Sequence, residues 1–110
     1  MARDEIPPGT LDMLILTTLA TRGGPLHGFQ IALSIRQVSF DILQVEEGSL
    51  YPALQRLLVK GWITGRWSHT DENRRARYYR LTPSGRKHLE GEVATYRRVA
   101  EAIDLVLTYA

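Results

Sequence analysis

The sequence has no cysteine, only two methionines and two phenylalanines, and no apolar run near the roughly 20 residues that a membrane-spanning helix needs. Without cysteine there are no disulfides and no thiolate metal ligands, which suits a reducing compartment. His27, His69 and His88 are scattered, with no pair at metal-ligand spacing on one helix face, so a zinc site or a histidine relay has no support. Gly23 and Gly24 are followed by Pro25, with neither lysine nor serine at phosphate-loop spacing, and Ser84-Gly85 does not form a nucleophile elbow. Asp12, Glu46 and Glu47 suit solvated or capping roles better than a carboxylate centre. No catalytic residue, metal or cofactor is therefore assigned, and an enzyme is not expected. The opening stretch MARDEIPPGT is charged and proline-containing, with no apolar segment behind a basic start, so neither secretion nor membrane insertion is expected and the cytoplasm is the expected location.

The chain does have an uneven distribution of charge. Its overall charge is only +2, yet residues 48–88 carry nine basic and two acidic side chains, while residues 1–47 net −3 and residues 89–110 net −2. One continuous third of the molecule is thus strongly cationic, which favours a polyanionic partner, nucleic acid before an anionic membrane surface. With 110 residues, 44% of them hydrophobic, the chain has room for one small core. A core of that size gains from a second subunit.

Hydrophobic periodicity predicts four helices and a hairpin. The first helix should run from an N-cap at Thr10 to about Thr21, stopped by Arg22-Gly23-Gly24-Pro25. It is apolar on two faces: Leu11, Leu14, Ile15, Thr18 and Leu19 form one, and Met13, Leu16, Thr17 and Ala20 the other. The second face is expected to meet another subunit. A second helix is expected from His27 to Ser39 with Ile31, Ala32, Ile35 and Val38 inward. A third should start between Glu47 and Ser49, with Pro52 in its first turn, and stop at Lys60 before Gly61. Trp62 to Ser68 and Ala76 to Thr82 read as strands joined by a polar tip. Alternation puts Ile63, Trp67, Tyr79 and Leu81 inward. Asp71 is expected to stabilise the tip. Thr82-Pro83 then opens a fourth helix to about Tyr109, roughly 40 Å long.

This is the element order of a mainly α winged helix-turn-helix with a long C-terminal dimerisation helix. Residues 1–82 would form the DNA-binding domain, and residues 83–110 the helix that completes one compact unit with it. Leu50, Leu54, Leu57 and Leu58 make the inner stripe of the third helix. Pro52, Gln55, Arg56 and Val59 fall opposite, with Ser49 and Tyr51 leading and Lys60 at the far end. Arg and Gln carry the donor and acceptor pairs that match guanine and adenine edges in the major groove. Ser49 and Tyr51, with the free amides of the helix start, suit phosphate. Arg74, Arg75 and Arg77 cluster at the hairpin tip, where phosphate or the minor groove is the expected target. On the fourth helix Leu89, Val93, Tyr96, Ala100, Ile103 and Leu107 are spaced alternately four and three apart, a heptad seam for a second copy of the chain, together with Met13, Leu16 and Ala20. The competing reading is a winged-helix module that binds another protein without specific DNA binding.

Four stretches in order, GTLDMLIL (9–16), LHGFQI (26–31), EEGSLYPALQRLLVKGWI (46–63) and RRARYYRLTPSGRKHL (74–89), resemble the PadR family of bacterial regulators over nearly the whole chain. The single helix after the hairpin is similar to the family's smaller members. The resemblance implies a cytoplasmic homodimer on inverted-repeat double-stranded DNA, acting as a repressor. DNA-reading positions would fall at Ser49, Tyr51, Pro52, Gln55 and Arg56, and in the wing at Arg74, Arg75 and Arg77. His27 and Gly28 match the family's second-helix start. Several branches respond to a small aromatic effector. In small members planar drugs lie between tryptophans of the C-terminal helices, whereas here Trp62 and Trp67 both lie at the hairpin and the fourth helix offers Tyr96 and Tyr109. A tryptophan pair of that kind is thus missing from the fourth helix.

Overall fold

The computed structural model describes residues 6, 7 and 9–110, so most of the charged N-terminal stretch lies outside it. In chain order the elements are α1 (Leu11–Arg22), β1 (Leu26–His27), α2 (Gly28–Val38), α3 (Glu47–Val59), β2 (Ile63–His69), β3 (Arg75–Leu81) and α4 (Pro83–Tyr109). Three helices, a two-stranded wing and a long last helix form a winged helix. The two-residue β1 was not expected: it pairs antiparallel with β3, Leu26 opposite Tyr79, to give a sheet of order β1-β3-β2.

Local chemistry explains where the helices begin and end. Thr10 is the N-cap of α1 by position, but its hydroxyl donates to the Pro7 carbonyl at 2.7 Å and caps nothing. Gly23 ends α1 with φ of 71°, a left-handed conformation that glycine adopts without strain. α2 begins with a reciprocal box. His27 Nδ1 accepts from the Gln30 backbone N–H, and Gln30 Oε1 accepts from the His27 N–H at 3.0 Å. α3 closes on Gly61, whose N–H donates to Leu58 while the Trp62 N–H donates to Leu57, the paired bonds of a Schellman stop. α4 opens with the Thr82 hydroxyl accepting from the Gly85 N–H at 3.0 Å and with Pro83 at the first helical position.

Packing corrects several expectations. α1 has no spare apolar face, because α2, α3, β3 and α4 all contact it and only Thr17 of the second face is exposed. Met13 is 8% exposed and Leu16 1%, both inside the chain's own core, and Ala20 is half-buried, so this face has little left to offer a partner. The early part of the α4 seam is used the same way: Leu89 is buried and Val93 is packed on the core. From Tyr96 onward the seam faces solvent, with Tyr96, Ile103 and Leu107 exposed and Ala100 half-buried. Val38, expected inward on α2, is exposed, and Ser34 is buried in that stripe. Pro52 is the sixth residue of α3 and lies in its second turn, not its first. Without an N–H it cannot make the i→i−4 bond to the Gly48 carbonyl.

At the base of the wing α3, β2 and α4 meet. The Thr82 hydroxyl donates to the Gly61 carbonyl at 2.8 Å, and the Thr82 N–H donates to the Trp62 carbonyl at 3.0 Å. Gly85 presses on the same peptide, where a Cβ would overlap the Trp62 carbonyl oxygen. Gly91, farther along α4, has open space around it. Gly85→Ala is therefore expected to destabilise by about 3 kcal/mol or more, whereas Gly91→Ala should stabilise by about 0.5–1 kcal/mol. Urea unfolding of both variants checks the sign of each.

Candidate nucleic-acid interface

Leu50, Leu54 and Leu57 of α3 are each 2% exposed or less and, with Ala53, anchor the helix in the core. At 3.6 residues per turn Gly48, Pro52, Gln55 and Val59 fall on the opposite side, and all four are exposed. Ser49 and Tyr51 are exposed at the leading end and Lys60 at the trailing end, so the structure brings the expected α3 residues to one outward face. Tyr51 also packs on α2: a Cβ at Gly28 would lie 3.1 Å from its ring and hydroxyl. It lines a cleft of about 210 Å³ with Phe29, Leu33 and Val45.

The cations of this surface are held in two different ways. Arg56 is paired with Asp12 of α1: Nη2 donates to Oδ1 at 2.8 Å and Nε to Oδ2 at 3.5 Å. This bond and the nearby charge push the Arg56 pKa upward against a small desolvation effect. Lys60 Nζ instead lies 4.7 Å from the centre of the Trp62 ring, whose indole stacks on His88 at 3.5 Å. His88 Nε2 is 3.3 Å from Glu92.

In the wing, β2 and β3 pair in register from Ile63 opposite Leu81 to His69 opposite Arg75. One face carries Ile63, Gly65 and Trp67 from β2, and Arg75, Arg77, Tyr79 and Leu81 from β3. Ile63 and Tyr79 are buried, but Trp67 is 55% exposed, contrary to the expectation that it packs inward. It lies on the correct face, but the wing has by then run past the core. Trp67 serves as a plate for two guanidinium groups, Arg75 at 4.5 Å and Arg77 at 6.0 Å from its ring centre. Arg77 also lies on Gly65, where a Cβ would come within 2.5 Å of its Nε, and that buried Nε has no hydrogen-bond partner. Arg74 is separate from this pair, in the turn, 4.0 Å from Glu72 with both side chains exposed. The turn itself is closed by Thr70, where Asp71 was expected: the Thr70 hydroxyl accepts from the Arg74 N–H at 3.1 Å, and Asn73 takes the left-handed conformation, φ 61°.

Asp12, Gly65 and Trp67 are thus members of this surface that sequence reasoning missed. Alternation marked the face of Trp67 but not that the face goes uncovered, and nothing local connects Asp12 to a residue 44 positions away. Among the described residues no group of three or more His, Asp or Glu side chains is placed to hold a metal ion, and no helix is long and apolar enough to cross a membrane.

An outward α3 followed by a cationic wing defines the class, a winged-helix protein of the DNA-binding kind. The family model for the transcriptional regulator PadR-like family matches residues 15–91, and the chain belongs to that family, which is one of regulators and not an enzyme class. The chain is 30% identical over 107 residues to an uncharacterised protein X of Lysinibacillus sphaericus, covering 97% of this chain and 96% of that one. It is similar in structure to a transcriptional regulator from Clostridium thermocellum, with a TM-score of 0.78, 28% identity, and coverage of 87% of this chain and 91% of that one. A PadR family transcription regulator from Clostridium difficile matches with a TM-score of 0.75 and 29% identity, over 90% of this chain and 99% of that one.

The Trp67 plate has a measurable electrostatic signature. With Trp62→Phe leaving Trp67 as the single indole, its fluorescence should be quenched more by iodide than by caesium, because two guanidinium groups flank the ring. Adding Arg75→Ala and Arg77→Ala should bring the two quenching constants together. An unchanged ratio would mean that the arginines do not sit on the ring in solution.

Proposed function

We propose that the chain is a cytoplasmic transcriptional repressor that binds an inverted-repeat operator as a homodimer, with α3 in the major groove and the wing against the flanking backbone. The observation that carries this reading is the outward face of α3. Gln55 and Arg56 stand on a helix whose opposite side is locked by Leu50, Leu54 and Leu57, so their side chains are presented from a fixed backbone. Gln and Arg suit adenine and guanine edges, and Ser49, Tyr51 and Lys60 suit phosphate at the two ends of the helix. Pro52 keeps that face free of a long side chain, which permits close approach. Arg74, Arg75 and Arg77 stand on a projecting hairpin and act through charge, with little dependence on sequence.

The exposed length of α4 supports the dimer. Tyr96, Ala100, Ile103 and Leu107 continue a heptad seam that only another helix can cover, and large apolar side chains along such a length favour association. Two-fold symmetry then requires half-sites about one helical turn apart, roughly 34 Å, so that both copies of α3 meet one face of the duplex.

Binding measured on operator and scrambled duplexes across a salt series tests the division of labour. Gln55→Ala or Arg56→Ala should cost about 1–3 kcal/mol on the operator and relax sequence preference. Arg75→Ala should weaken both duplexes alike and reduce the salt slope by about one contact. Binding that ignores salt and shows no preference between duplexes would instead favour a protein-interaction module. For the dimer, Ile103→Asp should yield monomer in sedimentation experiments at micromolar concentration, and a monomeric wild type would refute the assembly.

A further inference from the structure

We propose that Asp12 of α1 is a specificity-determining positioning residue. It grips the side edge of the Arg56 guanidinium so that the end edge is presented, pre-oriented, to a guanine. The inference rests on the reading of α3 as the DNA-reading helix and adds to it a residue from another element. A guanidinium carries five N–H donors in a plane, on Nε, Nη1 and Nη2. Asp12 takes the Nε donor and one Nη2 donor. Left over are both Nη1 donors and the second Nη2 donor, and that Nη2–H with the adjacent Nη1–H forms the end edge whose spacing fits guanine O6 and N7.

The pair is asymmetric in a way that suits positioning. The Asp12 side chain is 28% exposed and that of Arg56 is 54% exposed, so the anchor lies deeper than the group it holds. An unheld arginine on this helix surface would sample many rotamers and lose that freedom on binding, whereas the carboxylate removes most of the cost in advance. Holding also selects against mismatches, because an arginine tied at one edge cannot swing to a neighbouring phosphate or base. Asp12 sits in the first turn of α1, so a plain structural role is open to it through the helix dipole. That role would alter stability and leave base preference alone.

Loss-of-contact binding separates these roles. Each guanine of the operator is replaced in turn by 7-deazaguanine, which lacks the N7 acceptor, and binding is compared for wild type and Arg56→Ala. The position at which wild type loses roughly tenfold and Arg56→Ala loses nothing marks the Arg56 contact. Asp12→Asn, which cannot accept both donors, should shrink the penalty at that position to about twofold or less, while its binding to scrambled DNA rises because a negative charge near the duplex is gone. Asp12→Glu, which restores a carboxylate, should recover most of the penalty, and unfolding midpoints show whether each variant is folded. A full penalty in Asp12→Asn overturns the proposal. So does Arg56→Ala behaving as wild type at every guanine, because there would then be no base contact to position, although salt-dependent operator binding would still stand. Wild type that binds no duplex at all overturns the DNA-binding reading itself.

Discussion

The peptide between Trp62 and Ile63 is the point on which the rest of the structure depends. Its carbonyl accepts the Thr82 N–H, and Gly85 packs against it so closely that no side chain fits. Gly61, one residue earlier, ends α3 in a left-handed turn and lends its carbonyl to the Thr82 hydroxyl. Within a few residues the end of the exposed helix, the root of the wing and the first turn of the long helix are fixed to one another. Each of these contacts is backbone or one atom removed from it, so the relative directions of the three elements do not depend on flexible side chains. Trp62 adds an apolar seal by stacking on His88 of α4.

From that junction two elements project beyond the core, and they do so differently. The wing is held by a sheet whose inner face is buried at Ile63 and Tyr79 and open by Trp67, so its outer half is supported by cross-strand pairs alone. α4 is buried at Gly85 and Leu89, half-covered at Val93 and, apart from the half-buried Ala100, uncovered from there to its end. Together they account for the 55 Å length of a molecule only 22 Å thick. Apolar side chains recur along the free part of α4, whereas charged side chains gather along the wing.

What could be read from the sequence follows from how local the determining physics is. Helix ends at Gly23, His27, Gly61 and Thr82-Pro83 are set by residues within a turn of each other, and each was legible. Strand faces were legible too, because alternation is a property of the strand itself. Burial is not local. Trp67 lies on the same face as Ile63 yet is exposed, and Met13 and Leu16 are buried in a helix on which α2, α3, β3 and α4 all pack, which no pattern within α1 announces. β1 is too short to show a period. Pro52 was misplaced by a few residues because helix starts are marked by the N-cap, and Glu46 makes no side-chain capping bond that would advertise one. The Asp12–Arg56 pair spans two elements and has no signature in either.

The two ways of holding a cation have different electrostatic consequences. An aromatic face orients a guanidinium or ammonium without cancelling its charge, so Arg75 on Trp67 and Lys60 on Trp62 keep a full positive charge at long range. A carboxylate orients and cancels together, so Arg56 with Asp12 is nearly neutral a Debye length away and acts through the direction of its remaining donors. In the proposed reading, attraction towards a duplex comes mostly from the wing and the flanks of α3, and Arg56 would discriminate only after contact. Long-range charge and short-range hydrogen-bond geometry are thereby assigned to different residues. On that reading, a change to the wing would alter how strongly a duplex is drawn in without altering which bases Arg56 accepts.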